Sequence, residues 1–200
     1  SQIDSFSQNS DNDYYNPSND VLISFEKEAK RLISEMTVEE KASQMVHASR
    51  SIERLNIDQY NWWNEGLHGV ARSAKATVFP QAIPMAATFD TILIKNVANA
   101  ISDEARAIHN ILREKGMKNE YTGLTFWSPN INIFRDPRWG RGHETYGEDP
   151  YLTSMIGRAF VKGMQGNHKK YLKVAACAKH FAVHSGPENE RHSFNAYVSK

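Results

Sequence analysis

Residues 174–178 read Val-Ala-Ala-Cys-Ala, an apolar run of strand length. A strand that is apolar on both faces is typical of a parallel sheet covered by helices. In parallel β/α folds the functional groups lie at the carboxyl ends of the strands. Lys179 and His180 follow the run directly. We therefore expect both side chains to donate hydrogen bonds into a pocket, where their positive charges help to keep a nearby carboxylate ionised.

The sequence before this run predicts two amphipathic helices and a second strand. One helical stripe begins after Asp90, its predicted N-cap, and ends at Gly116, a residue suited to a left-handed C-terminal position. Another begins at Asp149, which a proline follows, and stops at Gly166. Residues 124–127, Leu-Thr-Phe-Trp, have strand length. The succession of strand, helix and strand predicts the α/β class.

The first twenty residues differ in composition from the rest. Ser, Asn and Asp supply 13 of them, which predicts a polar, flexible leader over 1–20 and a folded domain over 21–200. A helix is predicted from Asp20. Its apolar positions share one face: Leu22, Phe25, Ala29, Leu32 and Ile33. Thr37 and Glu40 have the spacing of a capping box, so a short helix through about Val46 should follow.

Composition excludes several classes of protein. Two hundred residues suit about one domain, and a net charge of +1 gives no field for gripping nucleic acid. No apolar run approaches the ~18 residues that span a bilayer. A single cysteine, Cys177, excludes an intrachain disulfide framework and a Cys-rich zinc site. No signal peptide opens the chain, so the protein is either cytoplasmic or already processed.

The first polar cluster is Trp62-Trp63-Asn64-Glu65-Gly66-Leu67-His68-Gly69. Two tryptophans beside a carboxylate suit a sugar, since indole faces stack on its C–H face and a carboxylate accepts hydrogen bonds from its hydroxyls. The alternative is that one tryptophan is core and Glu65 is a solvated loop residue.

The second cluster, residues 134–150, holds three arginines and four acidic residues. Such a density of charge is costly unless the groups pair, and arginine binds carboxylates or sugar hydroxyls in fixed geometry. We expect some members to hold the loop by salt bridges while one or two face a ligand.

The third cluster is the Lys179–His180 pair. A lone histidine is more often structural, but the adjacent lysine and the strand end favour function. A zinc site built from His180, His184 and His192 is a weaker alternative, because the pattern HExxH is absent. No glycine-rich nucleotide motif and no GxSxG elbow occurs. The sequence predicts no metal and no cofactor.

Taken in order, these clusters resemble glycoside hydrolase family 3. The matching strings are MTVEEKASQM (36–45), WWNEGLHGV (62–70), VFPQAIPMAATFD (78–90), EARAIHN (104–110), GLTFWSPNINIFRDPRWGRGHETYGEDP (123–150), VAACAKHF (174–181) and FNAYVS (194–199). Glu rather than Asp in WWNEGLHGV, and HSGPENER after KHF, look more like the β-xylosidase branch than the β-glucosidases. The resemblance implies a retaining, exo-acting β-glycosidase whose first domain is a (β/α)8 TIM-like barrel.

Residue roles carry over from the matching motifs. The resemblance places Glu65 on the distal hydroxyls of the sugar in the −1 subsite, and Arg141, Lys179 and His180 on the same sugar. It implies that Glu144 buttresses Arg141. The expected partner is thus a β-linked oligosaccharide or glycoside.

No catalytic carboxylate is expected within the chain. Retaining hydrolysis needs two carboxyls ~5 Å apart, which on residue type alone makes Glu65 and Glu144 a candidate pair. The resemblance argues otherwise, because the family's nucleophile is an Asp on a later strand, usually in an SD dipeptide. Ser102-Asp103 lies in a predicted helix and Ser10-Asp11 in the leader. The nucleophile and the general acid are therefore expected beyond Lys200.

A complete barrel takes ~250 residues, so the chain is expected to form only the N-terminal part of one. An unfinished barrel exposes the edge of its last strand, which predicts self-association through that edge. Export to the periplasm or medium is expected from the family. The non-enzymatic alternative is a sugar-binding or structural piece without turnover.

Overall fold

The computed structural model describes residues 14–199. The polar start of the chain, residues 1–13, lies outside the described residues, so the predicted leader is described only from residue 14. Residues 15–18 form no helix or strand, and the first helix begins at Asn19. Within the described stretch, no helix is both long and apolar enough to cross a membrane.

Two helices open the chain. α1 (Asn19–Glu35) is capped by Ser18, and its apolar face is not buried, with Leu22 and Phe25 exposed. α2 (Val38–Ser43) has the predicted capping box, in which Thr37 Oγ1 accepts from the Glu40 amide at 3.2 Å and Glu40 Oε2 from the Thr37 amide at 2.8 Å. α2 ends three residues before Val46, because the next amides bond to carbonyls three residues back and the turn tightens.

The core forms where two long helices pack on the sheet. α4 (Thr91–Glu114) has Asp90 as its N-cap and α5 (Pro150–Gln165) has Asp149, as predicted. Both helices are followed by glycines with positive φ, Gly116 and Gly166. The fully buried side chains include Ile94, Ile101, Ile156, Phe160, Met164 and Val174. A short helix, α3 (Ala82–Ala86), adds Ala82, Met85 and Ala86 to this core.

Residues 14–199 also form four short strands. β1 (Ala48–Ser49) and β2 (Tyr60–Asn61) pair antiparallel. β3 (Thr125–Phe126) and β4 (Ala175–Ala176) pair in parallel, with Phe126 opposite Ala176. Asn64 bridges Phe126 in parallel on the other side of β3, and the chain after β3 continues the pairing through Asn130 and Lys179.

Three parallel extended segments therefore lie side by side in chain order, centred on Asn64, β3 and β4. Helix α4 connects the first two, and α5 connects β3 to β4. This is the predicted α/β arrangement, and it brings the carboxyl ends of the three segments to one edge.

The outer edge of β4 is open. Val174 is buried, but Cys177 and Ala178 are exposed. The prediction that residues 174–178 are covered on both faces is therefore wrong for the end of the run. The reason is that, among residues 14–199, β3 is the only strand that pairs with β4.

Candidate functional site

A pocket of about 540 Å³ lies at the carboxyl ends of the three parallel segments. The five residues that the family resemblance assigns to the sugar site all line it: Glu65, Arg141, Glu144, Lys179 and His180. They come from three separate parts of the chain, which the parallel pairing brings together.

Glu65 owes its place to its neighbour Asn64. The Asn64 side chain is buried, donating from Nδ2 to the Thr125 carbonyl at 2.7 Å and accepting from the Gly123 amide at 2.9 Å. These bonds bind the first extended segment to β3, so the next residue begins the pocket wall. Sequence reasoning missed Asn64, because an asparagine that joins two segments looks like any other loop asparagine.

Both oxygens of the Glu65 carboxylate are engaged. Trp63 Nε1 donates to Oε1 at 3.3 Å, and Arg72 Nε donates to Oε2 at 2.8 Å. Glu65 is thus an oriented member of the pocket and not the solvated loop residue of the alternative interpretation.

The aromatic wall uses only one of the two adjacent tryptophans. Trp63 stacks on Trp127, with ring centroids 4.7 Å apart and an angle of 14° between the planes, and both line the pocket. Trp62 points elsewhere: its Nε1 donates to Ser49 Oγ at 2.8 Å, and its ring packs edge-on against Tyr60. Trp127 was not predicted, although it ends the predicted strand over 124–127 and so stands at a carboxyl end.

Arg141 and Glu144 form a two-pronged ion pair. Arg141 Nε donates to Glu144 Oε1 at 2.7 Å and Nη2 to Oε2 at 2.6 Å. Burial alone would raise the pKa of Glu144, but the Arg141 hydrogen bond and charge hold that pKa below its usual value. Glu144 is therefore a carboxylate at neutral pH.

Other members of the 134–150 loop form pairs that do not line the pocket. Arg138 donates to Asp136 from Nε and Nη2, at 3.0 and 2.7 Å. The Gly140 amide donates to Glu188 Oε2 at 3.0 Å. The loop thus has both expected kinds of member, structural pairs and groups that face the pocket.

Lys179 lines the pocket from the segment that follows β4. Its amide donates to the Pro129 carbonyl at 2.9 Å and its carbonyl accepts from the Ile131 amide at 2.8 Å, which continues the pairing past β4. Its Nζ lies 3.9 Å from Glu144 Oε2. Desolvation by burial lowers the pKa of Lys179, and the charge of Glu144 opposes that shift.

His180 is held by Asn132, a buried residue that sequence reasoning also missed. Asn132 Oδ1 accepts from the His180 amide at 3.0 Å and lies 2.8 Å from Nδ1. Since an amide oxygen accepts only, Nδ1 carries the hydrogen, which leaves Nε2 as an acceptor. Burial, with the charges of Arg141 and Lys179, lowers the pKa of His180 to about 4.

Two expectations for His180 are therefore wrong. The imidazole is neutral at pH 7 and adds no positive charge, and its Nε2 is left as an acceptor where a donor was expected. The cause of the lowered pKa is burial first and then the charges of Arg141 and Lys179, and the Asn132 acceptor fixes the tautomer. The local sequence reveals none of these.

The zinc alternative finds no support in the structure. The rings of His180 and His184 are 4.8 Å apart, but Nδ1 of His180 is committed to Asn132. Over residues 14–199, no group of three or more His, Cys, Asp or Glu side chains is arranged to hold a metal ion.

Comparison with known proteins agrees with this geometry. The model of the glycosyl hydrolase family 3 N-terminal domain matches residues 22–199. The chain is 48% identical over 185 residues to a xylan 1,4-beta-xylosidase from Xylanibacter ruminicola, covering 91% of this chain and 21% of that protein. A solved GH3 exo-beta-xylosidase in complex with a xylobiose aziridine activity-based probe matches with a TM-score of 0.69 and 35% identity, over 82% of this chain and 22% of that one.

A second solved structure, the β-glucosidase DesR from Streptomyces venezuelae in complex with D-glucose, has a TM-score of 0.68 at 27% identity, over 86% of this chain and 21% of that one. Fold and pocket thus define an α/β chain that forms the first part of a (β/α)8 barrel. The chain belongs to glycoside hydrolase family 3. It spans about a fifth of the length of the relatives it matches.

Proposed function

We propose that the protein hydrolyses β-linked glycosides from their non-reducing ends with retention of configuration. This chain supplies residues that bind the terminal sugar. The observation that carries the proposal is the convergence of Glu65, Arg141, Lys179 and His180 on one pocket with an aromatic wall. Carboxylate, ammonium and imidazole groups around a stacked indole match the hydroxyls and the C–H face of a pyranose.

Each group has a defined part in binding the sugar. Glu65 accepts from two hydroxyls, Lys179 donates to one, and His180 accepts through Nε2. Arg141 keeps its guanidinium beside the sugar because Glu144 holds it from behind. Contacts of this kind accelerate the reaction only to the extent that they strengthen as the ring flattens towards the transition state.

The bond-breaking groups are proposed to lie outside these 200 residues. In the retaining mechanism a carboxylate attacks the anomeric carbon as the bond to the leaving oxygen breaks, and an acid protonates that oxygen; water then releases the sugar. Glu65 and Glu144 are proposed for neither part, because the family resemblance places the nucleophile on a later strand and each of these carboxylates holds an arginine.

The proposed substrate is a β-xyloside. The xylosidase names of the relative at 48% identity and of the probe-bound structure support it, and the β-glucosidase DesR makes glucosides the runner-up. The test compares kcat/KM of the full-length protein on aryl β-xyloside and aryl β-glucoside. Preference for the xyloside is expected, and activity on neither would refute the proposed function.

A second candidate function concerns the 200 residues alone: sugar binding without turnover. It is favoured by the pairing of both pocket carboxylates with arginines. An assay of the isolated 200-residue polypeptide on the same aryl glycosides tests it. Clear turnover would show that the catalytic carboxylates lie within the chain.

Self-association and location are further proposals. The open edge of β4, with Cys177 and Ala178 exposed, supports pairing between two copies of the isolated chain, which light scattering would detect as a dimer.

Export to the periplasm or medium rests on the resemblance to family members. Cell fractionation of the source organism tests it, and a cytoplasmic protein would contradict it.

A further inference from the structure

The carboxylate of Glu65 sits in a closed ring of four side chains, which we call the Glu65 clasp: Trp63, Glu65, Arg72 and Tyr121. Trp63 and Arg72 each donate to one oxygen of Glu65. The Arg72 guanidinium lies over the ring of Tyr121, 5.5 Å from its centroid. Tyr121 closes the ring, since its amide donates to the Trp63 carbonyl at 3.0 Å and its side chain packs edge-on against the Trp63 indole.

The backbone of the clasp adopts an uncommon conformation at two points. Arg72 has φ of 70° and Tyr121 has φ of 63°, and the left-handed region is unfavourable for residues that carry a Cβ. Only two other non-glycine residues of the described chain, Asn56 and Phe89, have positive φ. Such conformations concentrate at functional sites, where the surrounding structure holds them.

The loop between Glu65 and Arg72 is built to bring the two together. The Ala71 amide donates to the Glu65 carbonyl at 3.0 Å, which closes the loop on itself. Gly69 has φ of 138°, and a Cβ there would collide with the Thr77 carbonyl. The chain beyond the loop also contacts it: the Phe79 amide donates to the carbonyl of His68, inside the loop, at 2.8 Å.

The Arg72 side chain is 60% exposed, so its ion pair with Glu65 contributes little to folding stability. Its effect is geometric. A carboxylate offers about four acceptor positions, and Trp63 and Arg72 occupy one on each oxygen. The remaining position on each oxygen is left for a ligand.

From this geometry we infer that Arg72 is a positioning residue: with Tyr121 beneath it, it orients the Glu65 carboxylate so that both oxygens present an acceptor to sugar hydroxyls distal to the anomeric carbon. The inference rests on the proposed function. It assigns to Arg72, and through it to Tyr121, part of the discrimination for those hydroxyls.

The test uses the full-length protein and two substrates, an aryl β-xyloside and its 4-deoxy analogue. Their ratio of kcat/KM measures how strongly the enzyme recognises the distal hydroxyl. In Arg72→Ala we expect kcat/KM on the xyloside to fall about tenfold, the effect of one lost hydrogen bond, and the ratio to fall with it, because a misoriented Glu65 gains less from that hydroxyl.

Matched variants separate positioning from general damage. Tyr121→Leu should lower the ratio as Arg72→Ala does, whereas Tyr121→Phe, which keeps the ring, should not. Arg54→Ala breaks an arginine–glutamate pair with Glu40, neither member of which lines the pocket, and should leave the ratio unchanged. Thermal midpoints of all variants should match that of the wild type.

A wild-type ratio in Arg72→Ala would overturn the inference while the proposed function stands. A wild-type protein that hydrolyses neither the xyloside nor the glucoside would instead refute the proposed function. A ratio that falls equally in Arg54→Ala would also overturn the inference, because the loss would then not depend on the clasp.

Discussion

Arg141 and Glu144 are joined by two parallel hydrogen bonds, of 2.7 and 2.6 Å, at the wall of the pocket. Their side chains are 25% and 18% exposed. Arginine and carboxylate in this arrangement are strongly oriented, and Lys179 Nζ lies 3.9 Å from Oε2, the Glu144 oxygen that also accepts from Arg141 Nη2. One carboxylate therefore supports two cations that line the pocket.

Glu144→Gln should weaken the support of both cations, Arg141 and Lys179. We expect a 10- to 100-fold loss of kcat/KM on the aryl β-xyloside and a loss of ~1–3 kcal/mol in the free energy of unfolding, because a partly buried guanidinium loses its partner. The pKa of Lys179 should fall further, since Glu144 now raises it. Glu148→Gln, at an exposed acid on the same loop, is the control. Equal activity in the two variants would contradict this role.

Lys179→Ala removes a charged donor from the pocket. One charged hydrogen bond to the sugar is worth ~1.5–3 kcal/mol, or one to two decades in kcat/KM. Lys118→Ala is the matched control, because Lys118 pairs with Asp58 at 2.6 Å outside this pocket. Unchanged kcat/KM in Lys179→Ala would refute the assigned role.

Stability should depend on pH through His180. Its pKa is about 4 in the folded protein and ~6.5 when unfolded, so between these values the unfolded chain binds more protons. Stability therefore falls as the pH drops from 6.5 towards 4. His184, whose pKa burial also lowers, adds a change of the same sign.

Urea unfolding of wild type and His180→Gln at pH 7, 5.5 and 4.5 measures this effect. The variant should lose less stability on acidification. Identical losses would contradict the neutral, desolvated state of His180. Asn132→Asp gives a second check, because a carboxylate beside Nδ1 should raise the pKa of His180 in an NMR titration.

Two glycines of α5 should respond oppositely to alanine. A Cβ at Gly163 would approach Ala98 Cβ to 2.7 Å and press on the backbone of α4, whereas at Gly157 it would meet Ile131 at 3.4 Å, an ordinary contact. Gly163→Ala should destabilise by ~1–3 kcal/mol, while Gly157→Ala should stabilise by ~0.5–1 kcal/mol through helix propensity. Thermal unfolding measures both, and equal effects would show that the helices separate easily.

Local sequence signals predicted the elements well. Asp90 and Asp149 cap the long helices because an aspartate before an amphipathic stripe satisfies free amides within its own turn. The capping box at Thr37 is likewise local. The end of α2 and the exposure of Cys177 depend on contacts with the rest of the fold, and no local sequence pattern contains that information.

The pocket was predictable only where motifs named its members. Trp62 and Trp63 are neighbours of the same type, and only the packing of Trp62 on Tyr60 shows which one lines the pocket. Asn132 and Tyr121 reach the site from other parts of the chain. The charge state of His180 follows from tertiary contacts with Asn132, Arg141 and Lys179.

The most direct test is a crystal structure of the full-length protein with xylose bound. The account predicts xylose in the pocket, with hydroxyl oxygens ~2.6–3.2 Å from the Glu65 carboxylate, Lys179 Nζ and His180 Nε2. Xylose bound at another place, or in the pocket without contact to these three groups, would contradict it.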